Sequence, residues 1–552
     1  MALLIDLFGY LSVVLHGFTI AAQSMTLGGV VFLLLLARPF AALLGDTGAA
    51  ILRRTWRMAA WSAVALVVFE SATVALQLAV LVGTTELPLA EVADASFAVA
   101  GMIKIVAAIG IGALCFRRPI GWVVVPVLVG LILLTLVGSA ATTHAAARLD
   151  DRAMLLVISA LHQLGAAVWI GGIPYFVMAL ARSGDGTAWR RIGKRFSQMS
   201  MAGVLLIGCS GIGMSIAYIG SIAAIYGTAY GVMVSAKVAM FLGLLFLGGM
   251  NYLLVERLRR DASTPVWRLK RFAEVEIGIG FTVFFAAASL TSVPPGVDLT
   301  NDRVTFHEIV ERNTPRWPDL ASPDYDGLAI PHLQAQLDAE AAKEKTAAPP
   351  AFIPGSGYLP PRNAEDIAWS EYNHHWSGIL VLAIGLCALL DRTGWVPIAR
   401  HWPLLFLALA LFLFLRSDPE VWPLGEIGFF DSLRDIEVVQ HRIFVTLIIG
   451  FGIFEWMVRT GRLTSPTPPL VFPLITAVGA ALLLTHTHAI SNVKDQLLIE
   501  LTHTPLALAG VTAGWARWLE LRIPQNRASV PGWIWPVCFV FIGLLLLSYR
   551  EA

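Results

Sequence analysis

Charge is scarce in this chain. Asp, Glu, Lys and Arg make up 14% of its 552 residues and hydrophobic residues 57%, which excludes a soluble enzyme and puts most of the chain in lipid. The 39 Lys and Arg are matched by 38 Asp and Glu, so no net field draws in nucleic acid or an acidic partner. Cysteine is sparse too. Cys115, Cys209, Cys387 and Cys538 lie far apart, in or beside apolar runs, which leaves no basis for a disulfide framework or a thiolate zinc site. There is no Gly-x-x-x-x-Gly-Lys-Ser/Thr loop, no Asp-Lys-Thr-Gly and no His-Glu-x-x-His, so neither an ATP-driven pump nor an intramembrane zinc protease is expected, and the chain does not read as an enzyme. The first apolar run follows Asp6, and no Lys or Arg precedes Arg38; a retained span is expected there rather than a cleaved signal.

What the chain has in abundance is apolar runs of membrane length. A bilayer core of roughly 30 Å takes about 20 helical residues, and fourteen runs of that kind are found. Eight cover residues 7–37, 58–82, 98–115, 120–141, 154–181, 199–219, 230–255 and 273–293. Six cover 375–390, 402–415, 442–458, 470–486, 497–518 and 533–549, of which 402–415 is the shortest. The expected fold is an all-α polytopic membrane protein. Residues 1–293 would form an eight-helix domain with its core at 154–260, 294–371 a periplasmic linker or lid, and 372–552 a six-helix domain. The linker is rich in proline, with a short amphipathic helix near 305–312 and a polar Ala/Glu/Lys segment near 334–348; it is too poor in apolar residues for a large core of its own.

Alternate connections hold most of the basic residues: Arg53, Arg54 and Arg57; Arg117 and Arg118; Arg190, Arg191, Lys194 and Arg195; the cluster from 257 to 271; Arg392 and Arg400; Arg459 and Arg462; and the stretch from 517 to 527. The opposite connections hold few, and the one from 417 to 437 is acidic. The positive-inside rule then orients both termini, and the linker, outward.

In that topology the twelve histidines sort to one side, His401 excepted. His16, His162 and His503 sit about two turns inside the outer ends of their helices. His144, His374, His375, His441, His486 and His488 sit at outer rims, and His307 and His332 in the linker. A partial repeat accompanies this: Thr143-His144-Ala145 is followed by His162 after 18 residues, and Thr487-His488-Ala489 by His503 after 15. His16 precedes Gly28-Gly29 as His162 precedes Gly171-Gly172, small residues that let helices approach closely behind the rings.

Neutral imidazole ligates copper, zinc, nickel and haem iron, and a dry site of histidine with methionine suits copper. Met25, Met102, Met154, Met214 and Met233 lie in outer halves, where core filling accounts for each equally well. For the deep histidines the structural alternative is an interhelical hydrogen bond, and for the rim histidines simple interfacial exposure. Glu70, Lys104 and Lys237 are the other deep polar residues. A Glu70–Lys104 pair between neighbouring spans is the simplest expectation; Lys237 could tune a metal site, meet a carboxylate or snorkel. Glu274 and Glu276 fall at an inner helix end, where hydration is expected.

The motifs HQLGAAVWIGG from His162, RRIGKRFSQMS from Arg190, TAYGVMVSAK ending at Lys237 and GGMNYLLVERLRR ending at Arg260 together resemble the copper resistance protein D family. EYNHHWSG from Glu371, VVQHR from Val438 and THTHAISNVKDQLLIELTH from Thr485 resemble an extension in longer bacterial members. The resemblance implies an inner-membrane protein that handles copper, moving it inward from a separate periplasmic carrier, with copper as the bound ion. It brings no fixed ligand set. The chief expectation is a copper transporter or acceptor loaded through the outer histidines. The alternatives are a cytochrome b-like electron carrier, in which two deep histidines bind haem b axially, and an assembly factor whose histidines only buffer metal.

Overall fold

The computed structural model describes residues 8–85, 87–119, 121–183, 186–261, 263–300, 303–323, 364–419, 421–425, 427–433, 436–485, 493–524 and 529–551. Within them the fold is all-α, without a strand. In hydrocarbon each backbone N–H and C=O must be satisfied within its own segment, and a chain that cannot close a barrel does this only as helices.

The chain packs as two compact units. Helices of the first are α1 (Phe8–Phe32), α2 (Gly45–Thr85), α3 (Ser96–Arg117), α4 (Val124–Ala140), α5 (Arg152–Trp169), α6 (Ile173–Arg182), α7 (Gly186–Tyr218), α8 (Ala229–Arg260) and α9 (Trp267–Leu290). The second contains α10 (Phe306–Asn313), α11 (Ala364–Thr393), α12 (Leu405–Arg416), α13 (Ile436–Arg459), α14 (Val471–Leu483), α15 (Val493–Arg522) and α16 (Ser529–Leu547). Each expected apolar run is helical over most of its described residues. Among the described residues eleven spans are long and apolar enough to cross a membrane, and α4 and the 468–483 segment are shorter apolar helices. The expected run at 402–415 reaches crossing length because a 3-10 segment, Pro397–Leu404, leads straight into α12. This is a multi-pass membrane protein.

In the first unit α1 is the hub, packed against α2, α5 and α9. Its contact with α5 is made by glycine. A Cβ on Gly28 would run into the Ala167 carbonyl, and one on Gly171 into the Ser24 carbonyl, so the backbones touch as small residues allow. The run expected as one span at 154–181 is broken here: Ile170–Gly172 form a turn between α5 and α6, with Pro174 in the first turn of α6. The Gly171 and Gly172 amides donate to Ala166 and Trp169, passing over the carbonyls of Ala167 and Val168. Proline and paired glycines are what break a helix.

In the second unit α11 packs along α16 through Gly378, Gly385 and Gly543. At its basic ends Arg459 pairs with Glu455 and Asp391, and Glu520 with Arg392 and Arg517. These arginines therefore brace helices. The expected linker helix forms as α10, closed by a capping box in which Thr305 accepts from the Glu308 amide and Glu308 from the Thr305 amide. The Ala/Glu/Lys segment near 334–348 and His332 lie outside the described residues.

Candidate functional site

A belt of polar contacts crosses the first unit from helix to helix. Between α3 and α2, Lys104 Nζ lies 2.6 Å from Glu70 Oε1, with side chains 4% and 3% exposed. Between α2 and α1 the Thr73 and Thr19 hydroxyls are 3.4 Å apart. Gln23 of α1 donates to Gln163 Oε1 of α5 at 3.1 Å. His162 Nδ1 of α5 is 3.0 Å from Ser210 Oγ of α7, and Lys237 of α8 stands close enough to His162 for its charge to act on the ring. Helical spacing builds the belt: His16, Thr19 and Gln23 share one face of α1, and Glu70 and Thr73 one face of α2.

The hydrogen bonds of His162 define its tautomer. Ser210 Oγ donates its proton to the Leu206 carbonyl, so towards His162 it accepts. Nδ1 therefore carries the proton and Nε2 the lone pair, the arrangement in which a metal-ligating histidine is held by its other nitrogen. His16 makes no hydrogen bond among the described residues, and the nearest charge acting on it is Lys104.

His162 adjoins the Gln23–Gln163 contact, whereas His16 stands two turns away from it along α1, about 10 Å at 1.5 Å per residue. They also look towards different neighbours, α3 for His16 and α7 and α8 for His162.

His144 opens a short helix, His144–Ala147, outside the spans. Its ring packs edge-on to Tyr218 and Tyr230, and Nε2 lies 3.5 Å from the Leu290 carbonyl. Burial pushes this imidazole below its usual range, although the carbonyl contact pulls the other way. Of the methionines, Met102 and Met154 point outward, 54% exposed each, and Met233 is core.

In the second unit His374, His503 and Tyr549 meet. The His374 ring stacks on Tyr549 with centroids 3.8 Å apart, and His503 is edge-on to both at 6.2 and 6.0 Å. His374 Nδ1 donates to the Ser370 carbonyl at 2.7 Å, which leaves its lone pair on Nε2. Its neighbour differs. His375 Nδ1 lies 2.9 Å from the Asp319 carbonyl and Nε2 3.0 Å from that of Tyr549; with both nitrogens against carbonyl oxygens, this buried ring is a tie between segments and keeps none for a metal. His441 Nδ1 is held 2.7 Å from Asp418 Oδ1. Burial would raise the Asp418 carboxyl, but the hydrogen bond and charge of His441 hold it below the usual range. His486 and His488 lie outside the described residues. Among the described residues no three His, Cys, Asp or Glu side chains are grouped to hold a metal.

One acidic residue departs from expectation. Glu276 is not hydrated at a helix end but 4% exposed, on the wall of a cavity of about 410 Å³ among α5 to α9, where Asn251 Nδ2 donates to it. Its position within a turn of Glu274 and Arg271 concealed this: these two pair with each other, and only packing tells them from Glu276.

Residues 190–290, which form α7 to α9, match the family described as copper resistance protein D. A stretch of 163 residues is 32% identical to the copper transport protein CutJ of Bacillus subtilis (strain 168), covering 29% of this chain and 29% of that protein's length. No solved structure matches the chain. The motifs from Arg190 to Arg260 fall inside the matched region, so the likeness to the copper resistance protein D family lies in α7 to α9.

Proposed function

We propose that this protein takes up copper across a bacterial inner membrane, from the periplasmic side inward. Both termini and the linker face the periplasm, and a separate carrier protein delivers the ion. Rim histidines His144, His374 and His441 meet it first, with His486 and His488; His16 and His162 in the first unit, and His503 in the second, are the deeper ligands. The Glu70–Lys104 pair and Lys237 set the charge along the belt. Copper as cargo rests on the family and on the name of the relative, and the direction on the positive-inside asymmetry.

The observation that carries the reading is His162. Its Nδ1 is anchored through Ser210, its Nε2 lone pair is free, and it sits in a polar belt joining six helices in the middle of an apolar unit. Intramembrane polar residues of this kind mark ion pathways. His16, unbonded on the same belt, supplies a second imidazole along the way.

The test is copper uptake into proteoliposomes with the periplasmic face outward. Wild type should accumulate copper, and His162→Ala and His16→Ala should slow entry while leaving the protein folded. Entry that is unchanged in both variants would overturn the path. Tight external binding without entry would make the protein a copper acceptor instead.

A further inference from the structure

The cavity among α5 to α9 lies apart from the histidines. Along α7 it runs from Phe196 to Leu205 and along α8 from Val255 back to Leu245, beginning close to the basic ends of these helices. Most of its wall is apolar, and among the polar groups that interrupt it are Glu276 of α9, Asn251 of α8 and Ser200 of α7.

Two of the three keep a buried polar atom without a partner. Asn251 spends its Nδ2 on Glu276 Oε1, and its own Oδ1 is buried without a partner among the described residues. The Ser200 hydroxyl is likewise buried and unpartnered. That is unusual in this fold, where Ser62, Thr26 and Ser210 each return a proton to the carbonyl four residues back. Glu276 has no Lys, Arg or His within ion-pair distance among the described residues. Facing it are Asn251 and Tyr252 from α8 and Ser197 and Ser200 from α7. On its own helix Arg271 is engaged by Glu274, and Lys270 lies nearly two turns away. Trp169, Ile173 and Phe176 close the α5–α6 side without charge.

The set is thus oxygen acceptors with no donor cation, in surroundings where a bare carboxylate is costly. We infer that Glu276, Asn251 and Ser200 form a proton-binding site, reached through this cavity. Oxygen donors favour the proton over a soft cuprous ion, and the one sulfur on the wall belongs to Met201, whose side chain is half exposed. Any part in copper movement rests on the proposed uptake; the site itself does not.

Infrared difference spectra of the full chain in lipid nanodiscs, wild type against Glu276→Gln, test it. The expected result is a carboxylic-acid C=O band at neutral pH that is absent from Glu276→Gln. It should disappear as the pH is raised and ignore cuprous ion; discharge by cuprous ion at constant pH would make this a metal site and overturn the assignment to a proton. Glu276→Asp, which keeps the acid, should retain a shifted band and guards against a folding defect in the amide variant. A Glu276 that stays ionised from mildly acidic to alkaline pH would overturn the inference as well. Copper uptake and external binding measured alongside keep the two readings separate. Loss of the band with His162-dependent uptake intact strikes only this site, whereas a normal band in a protein that neither binds nor admits copper strikes only the uptake reading.

Discussion

The Glu70–Lys104 pair offers a sharp test of how the belt is held together. With the charges 2.6 Å apart and the side chains 4% and 3% exposed, neither ion can recover solvation if the other is removed, and Glu70 Oε2 is already buried without a partner. Removing one member of a buried pair typically costs about 3–5 kcal/mol, whereas replacing both with uncharged groups of similar volume is close to neutral. Lys104→Met and Glu70→Gln should therefore each destabilise by about 3 kcal/mol or more. The double variant should fall near wild type, a coupling of several kcal/mol where separate sites would simply add. Reversible unfolding of the full chain in mixed micelles, run as a double-mutant cycle, measures this. Two single effects that sum in the double variant would refute the reasoning, since the charges would then be solvated separately. A double variant that is stable yet slow in copper uptake would place the pair's value in function.

Other expectations are narrower. Gly28→Ala puts a methyl against the Ala167 carbonyl, a backbone contact that cannot rotate away, so thermal unfolding should show a loss of about 1–3 kcal/mol; an unchanged midpoint would mean that α1 and α5 separate freely. Ser210→Ala removes the hold on His162 Nδ1 and should weaken copper binding by about 10–100-fold without changing the number of ions bound, as read by competition with a chelator. His144, its pKa lowered by burial, should remain neutral through about pH 6.5, where free imidazole titrates. Because the folded value is the lower one, acid favours the undocked ring: its packing should weaken as the pH falls below that point, seen by NMR, and His144→Leu should abolish the dependence. Asp418, held low by His441, is ionised above about pH 3.9, so its contribution is lost only as the pH falls through its lowered value; Asp418→Asn should expose the 417–433 loop to protease at neutral pH.

The spans were legible because lipid leaves the backbone no other choice, so that run length located them; α10 was legible from its amphipathic pattern, while its capping box was not read. The Glu70–Lys104 partnership was legible for a related reason: a lone charge at depth needs a neighbour, and α2 and α3 are consecutive. What stayed hidden depends on helix rotation and register. His374 and His375 are adjacent in sequence and read alike, yet the first keeps a lone pair and the second is bound at both nitrogens by carbonyls from residues 319 and 549, distant along the chain. Glu276 looked like a solvated end group because sequence distance from the basic loop says nothing about which face of α9 is covered.

The break at Ile170–Gly172 gives the first unit a shared pivot. Above it α5 carries His162, and at its very end Trp169; below it α6 carries Ile173 and Phe176. Trp169, Ile173 and Phe176 are all walls of the Glu276 cavity, so that cavity is bounded by both arms of one joint. A bend at this pivot would reshape the cavity and tilt the imidazole in a single movement, with Gly28 against Ala167 as the fulcrum. Three residues of irregular backbone would then couple two places that never touch.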